Sequence, residues 1–449
     1  MQLISIEFND NEPLYIQLYN YIKKNIINGN FKPNEKLPSK RKLSEHLNIS
    51  QNTIINAYEL LLDEELIISL PQKGYFVSSY NIKTNNIKYD NISTSLSDIK
   101  YDFSTKNIDE SIFPYYTWNK ICKNIIYNEK ILKKTPAQGY FELRNTIKDY
   151  LFQSKNINVN PKNIIIGSGI EYLLTLIIQI LDIDKYAIEN PGYDKIYKLL
   201  KNNNKSILLS NVDNEGIIIN NDAECIYTTP SNEFPLGIKM SMKRKMEISK
   251  WATKGKYIIE DDFDSEFKYL SNSSISLFEL NNNTILLSTY SRSISPALRI
   301  AYMVLPDELM QIYLNKFSFY SSTVSTLDQM ILNEFIKSGL YSRHINKTKA
   351  LYKKKRELII SLLKNKDYIS IDYDNSYLSL IIDIGAFDKK LFKELSKKYK
   401  MDISLLDDYY MDNQKTNKII IGYSSININL IDEAIQKLIN IIENAKGIL

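Results

Sequence analysis

The sequence has little of what a metal centre, a disulfide framework or a membrane protein needs. Its 449 residues include two cysteines, Cys122 and Cys225, and two histidines, His46 and His344, and neither pair has the spacing of a disulfide or of metal ligands. We interpret all four as structural and expect no metal site. The chain opens without a basic stretch followed by an apolar core, and no apolar run approaches the roughly 20 residues of a membrane span. These absences predict a soluble, cytoplasmic protein.

Neither positive nor negative charge is in large excess. The 57 lysines and arginines face 52 aspartates and glutamates, which gives a formal net charge of +5 at pH 7. Total charge therefore indicates neither nucleic acid nor membrane as a partner, and the case for DNA has to come from local residues. The length suffices for a small domain followed by a large one.

Residues 13–78 have the pattern of a helix-turn-helix followed by a wing. Apolar periodicity, a serine N-cap and turn residues define the elements. They are a first helix at 13–27, a second helix after the N-cap Ser39, a turn at 48–50, a third helix through about Leu62 and two short strands at 66–69 and 74–78. Two helices joined by a short turn are the unit that places a recognition helix in the major groove of DNA.

The chain between Tyr101 and Pro306 alternates short apolar strands with helical stretches. This alternation predicts an α/β fold with a largely parallel sheet, whose ligands bind at the ends of the strands. Residues 79–100 are polar and lack helical periodicity, so they are predicted to be a linker. The predicted strands lie within 164–169, 186–193, 207–210, 225–230, 257–262, 285–290 and 300–306.

The loop between the last two predicted strands carries two arginines, Arg292 and Arg299. Guanidinium groups between buried strands are costly to desolvate and are normally tolerated when an anion pairs with them. The pattern indicates either a site for an anionic ligand or two solvated loop arginines, and base rates alone favour the solvated pair.

That loop resembles the signature loop of fold-type I, pyridoxal phosphate (PLP) aminotransferases, in the version carried by MocR-type regulators, a subfamily of GntR transcriptional regulators. The resemblance places Arg292 where the family has the lysine that binds PLP covalently. Since a guanidine with a pKa of about 12.5 or more is almost never neutral at pH 7, Arg292 cannot replace the amine nucleophile. We expect no covalent link to PLP, and a contact from Arg292 to a phosphate or another anion instead. The matching residues are Ser291-Arg292, Ser295-Pro296, Leu298-Arg299 and Ala301-Tyr302.

The resemblance implies further cofactor-binding residues at the ends of the strands. Gly167-Ser168-Gly169 opens a helix whose N-terminal amides can hold a phosphate. Tyr193 is placed near the cofactor ring and Asp261 beside its nitrogen, while Ser291 and Arg299 are expected at the phosphate. The alternative is that Asp261 and Arg299 are structural charges in a cleft.

Two further positions depart from the family's pattern. Phe263 stands where the family has a tyrosine that bonds the cofactor's phenolic oxygen, and Ile420 stands where it has the arginine for the substrate carboxylate. Both losses argue against transamination. The remainder of the chain after Asp307, with long helices, strands and a final helix from about Leu430, resembles the smaller C-terminal α+β subdomain of the same fold.

Residues 13–78 resemble the GntR-type winged helix nearly end to end. The matches are Leu37-Pro38-Ser39, Arg41, Leu43, Ser50, Thr53, Ala57-Tyr58 and Gly74-Tyr75-Phe76-Val77. Gln51 replaces the family's usual arginine, and since Asn or Gln pairs with adenine whereas Arg favours guanine, we predict a double-stranded DNA operator rich in A·T pairs. A solvated helix face is the alternative for the basic cluster. The predicted DNA-binding residues are Lys36, Ser39, Lys40, Arg41, Gln51, Asn52, Thr53, Asn56, Lys73 and Gly74.

The sequence therefore predicts an α/β protein with a DNA-binding domain at 1–78, a linker at 79–100 and an aminotransferase class I/II-like effector and dimerisation domain at 101–449. The leading hypothesis is a homodimeric transcriptional regulator whose large domain senses a small anionic effector, either PLP bound non-covalently or another ligand. The alternatives are a PLP-dependent aminotransferase, against which Arg292 argues, and a DNA-binding dimer whose large domain is purely structural.

Overall fold

The structure is a computed structural model that describes residues 4–6, 8–9, 12–79, 99–268, 275–373 and 378–448. The chain divides into two compact units, Met1–Thr94 and Ser95–Leu449. Residues 80–98, most of the predicted linker, lie outside the described residues. Each unit is built around apolar cores of its own.

The first unit is a winged helix-turn-helix, as its sequence predicts. The side chains of Ser39 and Ser50 cap the second and third helices by accepting the backbone N–H of Lys42 and Thr53. Asn48 takes the left-handed conformation, with φ of 53°, that turns the chain between them. The elements are α1 (Leu14–Ile27), α2 (Lys40–Leu47), α3 (Gln51–Asp63) and the antiparallel strands β1 (Ile67–Leu70) and β2 (Gly74–Val77).

The second unit is organised on a sheet that, among the described residues, has eight strands. They are β4 (Ile164–Gly167), β5 (Lys185–Asn190), β6 (Ser206–Asp213), β7 (Gly216–Ile217), β8 (Cys225–Thr228), β9 (Tyr257–Asp262), β10 (Thr284–Thr289) and β11 (Ala301–Val304); the short strand β3 (Tyr101–Asp102) precedes them in the chain and lies outside this sheet. Their order across the sheet is β4-β11-β10-β9-β8-β5-β6-β7, and β5, β6, β8, β9 and β10 run parallel. The strand β11 is antiparallel to both of its neighbours.

Helices cover this sheet, and their apolar faces pack on strands that are buried nearly throughout. Continuous apolar runs are the pattern expected of a parallel sheet covered on both faces. The helices of this part are α4 (Tyr115–Ile125), α5 (Phe141–Lys155), α6 (Ile170–Leu181), α7 (Asp194–Asn202), α8 (Met242–Trp251), α9 (Leu277–Leu280), α10 (Asp307–Lys316), α11 (Thr326–Lys337) and α12 (Leu340–Leu363).

The C-terminal part forms a smaller α+β subdomain, as predicted. Its four-stranded sheet has the order β12-β13-β16-β15 and antiparallel pairing, while β14 pairs in parallel with β3 near the start of the unit. The elements are β12 (Ser370–Tyr373), β13 (Ser379–Asp383), α13 (Lys389–Lys398), β14 (Met401–Asp402), β15 (Ser404–Leu405), β16 (Lys418–Gly422) and α14 (Ile431–Ala445).

The scarce cysteines and histidines take part in packing. Cys225 is buried in β8 and Cys122 lies half-buried on α4, both as free thiols. The rings of His46 and His344 donate to the backbone carbonyls of Ile4 and Ser293 through Nε2. Over the described ranges, no helix has the length and apolarity that crossing a bilayer requires, and no cluster of three His, Cys, Asp or Glu side chains is arranged to hold a metal ion.

Candidate functional site

A cavity of about 270 Å³ opens where the parallel strands end. Residues at or just beyond the carboxyl ends of β5, β8, β9 and β10 line it, together with the first turn of α6 and one tyrosine from the C-terminal subdomain. This edge of a parallel sheet is where α/β folds bind small molecules. The structure thus has a cavity at the edge of the sheet where the sequence predicts a ligand site.

The floor of the cavity is Asp261, the fifth residue of β9. Its side chain is buried, with the residue only 3% exposed. One carboxylate oxygen, Oδ2, accepts a hydrogen bond of 2.5 Å from the hydroxyl of Tyr227, and the other, Oδ1, is buried and has no partner among the described residues. Burial raises the pKa of Asp261 to about 7. A residue of the cavity lining thus keeps one carboxylate oxygen without a hydrogen bond, which is unfavourable until a donor reaches it.

Arg292 projects from the loop after β10 into the same cavity. Its Nη1 atom is buried and has no hydrogen-bond partner among the residues that the structure describes. Burial lowers the pKa of Arg292, and Asp264 opposes that shift. The carboxylate of Asp264 is itself buried, with Oδ1 unpaired. A guanidinium that remains cationic in such surroundings is a strong binder of anions.

The mouth of the cavity is formed by Arg299, Glu171 and Lys195. Arg299 has φ of 51° and donates from Nη2 to Glu171 Oε2 at 2.8 Å. Lys195 binds the other oxygen of the same carboxylate. Burial opposes the ionisation of Glu171, but hydrogen bonds from Lys195, from its own backbone amide and from Arg299 lower its pKa to about 2. A β-carbon on Gly169, whose φ is 88°, would come within 2.6 Å of Arg299 Nη2, so another residue there would displace the guanidinium and strain the backbone.

Aromatic rings enclose much of the remaining wall. Phe234 makes edge contacts with Phe263 and with Tyr409, at centroid distances of 6.1 and 5.1 Å. Tyr193, which follows β5 in the chain, also lines the cavity. Flat, apolar walls with a few polar groups are typical of sites for planar organic ligands.

The structure brings five of the eight predicted cofactor-binding residues to the cavity lining, namely Tyr193, Asp261, Ser291, Arg292 and Arg299. Gly169 stands directly behind Arg299. Gly167 lies in β4, opposite Ala301, and is absent from the lining. The backbone N–H of Ser168 donates to Thr323 Oγ1 at 3.0 Å, so that amide already has a partner.

The two positions that depart from the family's pattern differ in placement. Phe263 lines the cavity beside Asp261. Ile420 is fully buried in an apolar cluster with Leu236 and Tyr409 and does not line the cavity. Its side chain therefore packs against other apolar side chains.

Sequence reasoning missed Glu171, Lys195, Tyr227 and Tyr409. Tyr227 stands near the end of β8, whose neighbour in the sheet is β9, so the expectation that ligands bind at the ends of parallel strands could have found it. Glu171 lies just inside the helix that the glycine motif opens. Tyr409 comes from the C-terminal subdomain, and no local signal links it to the cavity.

The predicted DNA-binding residues of the first unit lie in and just before α2, in α3 and on the wing. Gln51, Asn52 and Asn56 are exposed on α3, which is the recognition helix of this motif. The ammonium groups of Lys36 and Lys40 lie over aromatic rings of the wing, 5.8 Å from the centroid of Phe76 and 5.2 Å from that of Tyr75.

The remaining predicted contacts have structural partners as well. The side chain of Arg41 is 83% exposed and pairs with Glu45, one turn further along α2. Ser39 caps α2, and Thr53 exchanges hydrogen bonds with the cap Ser50. The wing turn exposes Lys73 beside Gly74.

Comparison with known proteins decides the family. A model described as bacterial regulatory proteins, gntR family, matches residues 14–77, and a model of aminotransferase class I and II matches residues 117–404. The uncharacterized HTH-type transcriptional regulator YdeL of Bacillus subtilis (strain 168) is 35% identical over 447 residues, which are 95% of this chain and 96% of YdeL. The chain belongs to the gntR family of regulatory proteins.

Other gntR-type relatives match over almost the same length. The probable rhizopine catabolism regulatory protein MocR of Rhizobium meliloti is 23% identical, over 95% of this chain and 93% of its own. The HTH-type pyridoxine biosynthesis transcriptional regulator PdxR of Corynebacterium glutamicum is 24% identical, over 94% of this chain and 95% of its own. Relatives of this gntR-family chain thus include MocR and PdxR, in agreement with the sequence resemblance.

Solved structures confirm the fold of the second unit. An archaeal alanine:glyoxylate aminotransferase superposes with a TM-score of 0.69 and 22% identity, over 77% of this chain and 91% of that enzyme. At this level of identity the similarity shows the fold alone, and any activity has to be argued from the residues of the cavity. The gntR-family winged helix is therefore joined to a fold-type I aminotransferase domain with a mostly parallel sheet.

Proposed function

We propose that this gntR-family protein is a DNA-binding transcriptional regulator whose aminotransferase-like unit senses a small anionic ligand of the PLP type without a covalent bond to it. The observation that carries the proposal is the pair of unpartnered polar atoms in the cavity, Asp261 Oδ1 and Arg292 Nη1. Buried groups of opposite charge without partners lower stability unless a ligand satisfies both.

Arg292 sets this unit apart from an enzyme. We propose that it takes the position at which related aminotransferases carry the lysine for PLP, in the loop after β10. An arginine there offers charge and hydrogen bonds but no nucleophilic amine. Phe263 adds no hydroxyl to the same wall. The residues favour binding over catalysis.

The cavity residues nevertheless fit PLP as a ligand. Asp261 Oδ1 is free to accept from a protonated ring nitrogen, the ring of Tyr193 lines the wall, and Arg299 stands at the mouth with the start of α6. When bound to an enzyme, PLP supplies an aldehyde and an electron-withdrawing ring. One relative, PdxR, is named as a regulator of pyridoxine biosynthesis, which supports a ligand of the pyridine class.

The exposed amides of α3 support the DNA half of the proposal. Asn and Gln side chains bond adenine in the major groove, so we propose an operator with A·T pairs opposite Gln51, Asn52 and Asn56. Lys36, Lys40 and Lys73 would contact phosphates. A regulator of this kind acts on the chromosome, in the cytoplasm.

A homodimer through the second unit completes the proposal, because a winged helix gains specificity by contacting two half-sites. Large apolar side chains support it: Tyr116, Leu132 and Phe319 are 83, 88 and 76% exposed, and the rings of Phe319 and Tyr320 stack at 4.4 Å. Such exposure is typical of surfaces that another protein covers. Light scattering coupled to size exclusion should give twice the mass of the chain.

An absorption titration of the purified full-length protein with PLP tests the ligand half. We expect saturable binding that dialysis reverses, with no adduct after borohydride reduction. A lack of any binding, by absorbance and by calorimetry, would favour a purely structural second unit. Turnover of amino acids and keto acids would instead establish an aminotransferase.

A further inference from the structure

Three charged side chains at the mouth of the cavity bind one another. Glu171 accepts a hydrogen bond of 2.8 Å from Arg299 through Oε2 and pairs with Lys195 through Oε1. Its carboxylate also accepts the N–H of its own backbone, which is one of the amides that the first turn of a helix leaves without an intrahelical partner. One carboxylate thus satisfies two cations and part of a helix N-terminus.

The charges of this cluster do not balance. Arg299 and Lys195 contribute two positive charges against the single negative charge of Glu171. The other acidic side chain at the mouth, Asp194, is paired with Lys198. Two cations beside a helix N-terminus match a phosphate monoester, which carries close to two negative charges at pH 7, better than they match one carboxylate.

The floor of the cavity points independently to an occupant. Asp261 lines the cavity and is 3% exposed, and its buried Oδ1 has no hydrogen-bond partner within the described part of the chain. An unpaired buried carboxylate oxygen is unfavourable until a donor reaches it. An occupant that binds this oxygen and extends to the mouth meets the cluster around Glu171.

We infer that Glu171 is an internal competitor for the ligand: its carboxylate fills the cation site when no ligand is bound, and the phosphate monoester group of the ligand replaces it on Arg299 and Lys195. The inference rests on the proposed ligand-sensing function and adds the residue that sets its affinity. Because Glu171 belongs to the first turn of α6, which packs against β4, β10 and β11, its release changes the contacts at the start of that helix.

Calorimetric titration with PLP and with pyridoxal, which lacks the phosphate, tests the inference. The variant Glu171→Gln keeps the size of the side chain and removes its charge, so we expect it to bind PLP roughly tenfold more tightly than the parent. Its affinity for pyridoxal should stay within about twofold of the parent value, because the competition involves the phosphate alone. Glu334→Gln, the same change on an exposed residue of α11, should match the parent with both probes.

A second variant, Glu171→Asp, keeps the charge but shortens its reach by one methylene, and an intermediate gain for PLP is expected. Unchanged or weaker PLP binding in both Glu171 variants would overturn the inference while leaving the sensing function intact. Equal gains for PLP and pyridoxal would also overturn it, because they would show a change of the whole cavity. No binding of either probe to the parent or to any of these variants would overturn the proposed function itself.

Discussion

The two units of this chain hold their functional side chains in opposite ways. In the first unit, Asn52 and Asn56 stand exposed on α3, and the side chain of Arg41 is more than four-fifths exposed. In the second unit, Asp261 and the Nη1 atom of Arg292 are buried and lack part of their hydrogen bonding. The exposed groups of the first unit keep their hydration, whereas the buried groups of the second unit are desolvated without full compensation.

The difference teaches which substitutions affect function alone and which affect stability as well. An exposed contact residue can be removed with little effect on folding, because water takes the place of its partner. A buried charged residue with an unpaired atom alters the pKa, the stability and the ligand affinity together. The predictions below test this contrast, starting with the cavity.

Replacing Arg292 by lysine has the largest expected effect, since it creates a reaction that the parent lacks. A lysine at this position puts an amine into a cavity whose other anchors, Asp261 and Arg299, are unchanged. Burial lowers the pKa of a lysine and so raises the fraction that can attack an aldehyde. We expect a PLP adduct at position 292 after borohydride reduction in the variant and none in the parent, as measured by mass spectrometry of peptides.

Two lysines that already line the cavity provide the internal control for that experiment. Lys195 is held by Glu171, and Lys106 lies at the exposed rim. An adduct on either of them in the parent would show that a different amine has taken the role of the family's lysine. Absence of an adduct in the variant, despite measurable PLP binding, would show that position 292 does not face the aldehyde.

Asp261→Asn is expected to have the next largest effect, on stability and its pH dependence. Burial raises the pKa of Asp261 from 3.8 to about 7. Between these values the folded chain keeps a proton that the unfolded chain has released, so this group lowers stability as the pH rises through that window. At about pH 8 the variant should therefore have a higher Tm than the parent. Its gain in free energy of unfolding should be at most ~4 kcal/mol, since a shift of one pKa unit corresponds to ~1.36 kcal/mol.

Well below pH 3.8 the two proteins should melt at similar temperatures, because Asp261 is then neutral in both states. Asp222→Asn, on an exposed loop of the same unit, is the matched control. Its Tm should differ between the higher and the lower pH by the same amount as the Tm of the parent. A variant less stable than the parent at high pH would mean that Asp261 is paired with a cation in the folded protein.

Much of the fold and part of the cavity could be predicted from sequence because the signals are local. Ser39 was identifiable as a helix cap, since a cap bonds amides two or three residues away, and Ser50 as part of the turn before α3. Arg292 was identifiable because it follows an apolar run, whereas Asp261 was assigned through the resemblance to the family; both lie at or just beyond the ends of parallel strands, which share a common edge.

The remainder of the cavity depends on contacts between distant parts of the chain. Tyr409 enters from the C-terminal subdomain, and the N–H of Ser168, expected to be free for a phosphate, is taken by Thr323. Glu171 was passed over because an acidic residue in the first turn of a helix is ordinary. Its meaning depends on Arg299, which only the folded chain brings to it.

The exposed amides of α3 offer a smaller effect of a different kind. On an operator selected from random DNA, Asn52→Ala should cost ~1–3 kcal/mol of binding free energy and relax the preference for adenine at one position. Its Tm should stay within about a degree of the parent value, because the side chain is exposed. Asn30→Ala, at an exposed amide after α1, is the control in fluorescence anisotropy. An equal loss on selected and random DNA would refute base contact by Asn52.

The smallest expected effect belongs to Lys73 at the tip of the wing, where the side chain is exposed and the turn places it next to Gly74. A lysine that neutralises one phosphate adds the same free energy on any sequence, because the phosphates carry no base information. Lys73→Ala should therefore weaken binding to selected and random DNA equally and lower the slope of log K against log salt by about one. Lys201→Ala, an exposed lysine of the second unit, should change neither quantity. If Lys73→Ala leaves the slope unaltered, the wing does not contact the DNA backbone, and α3 makes the whole of the contact.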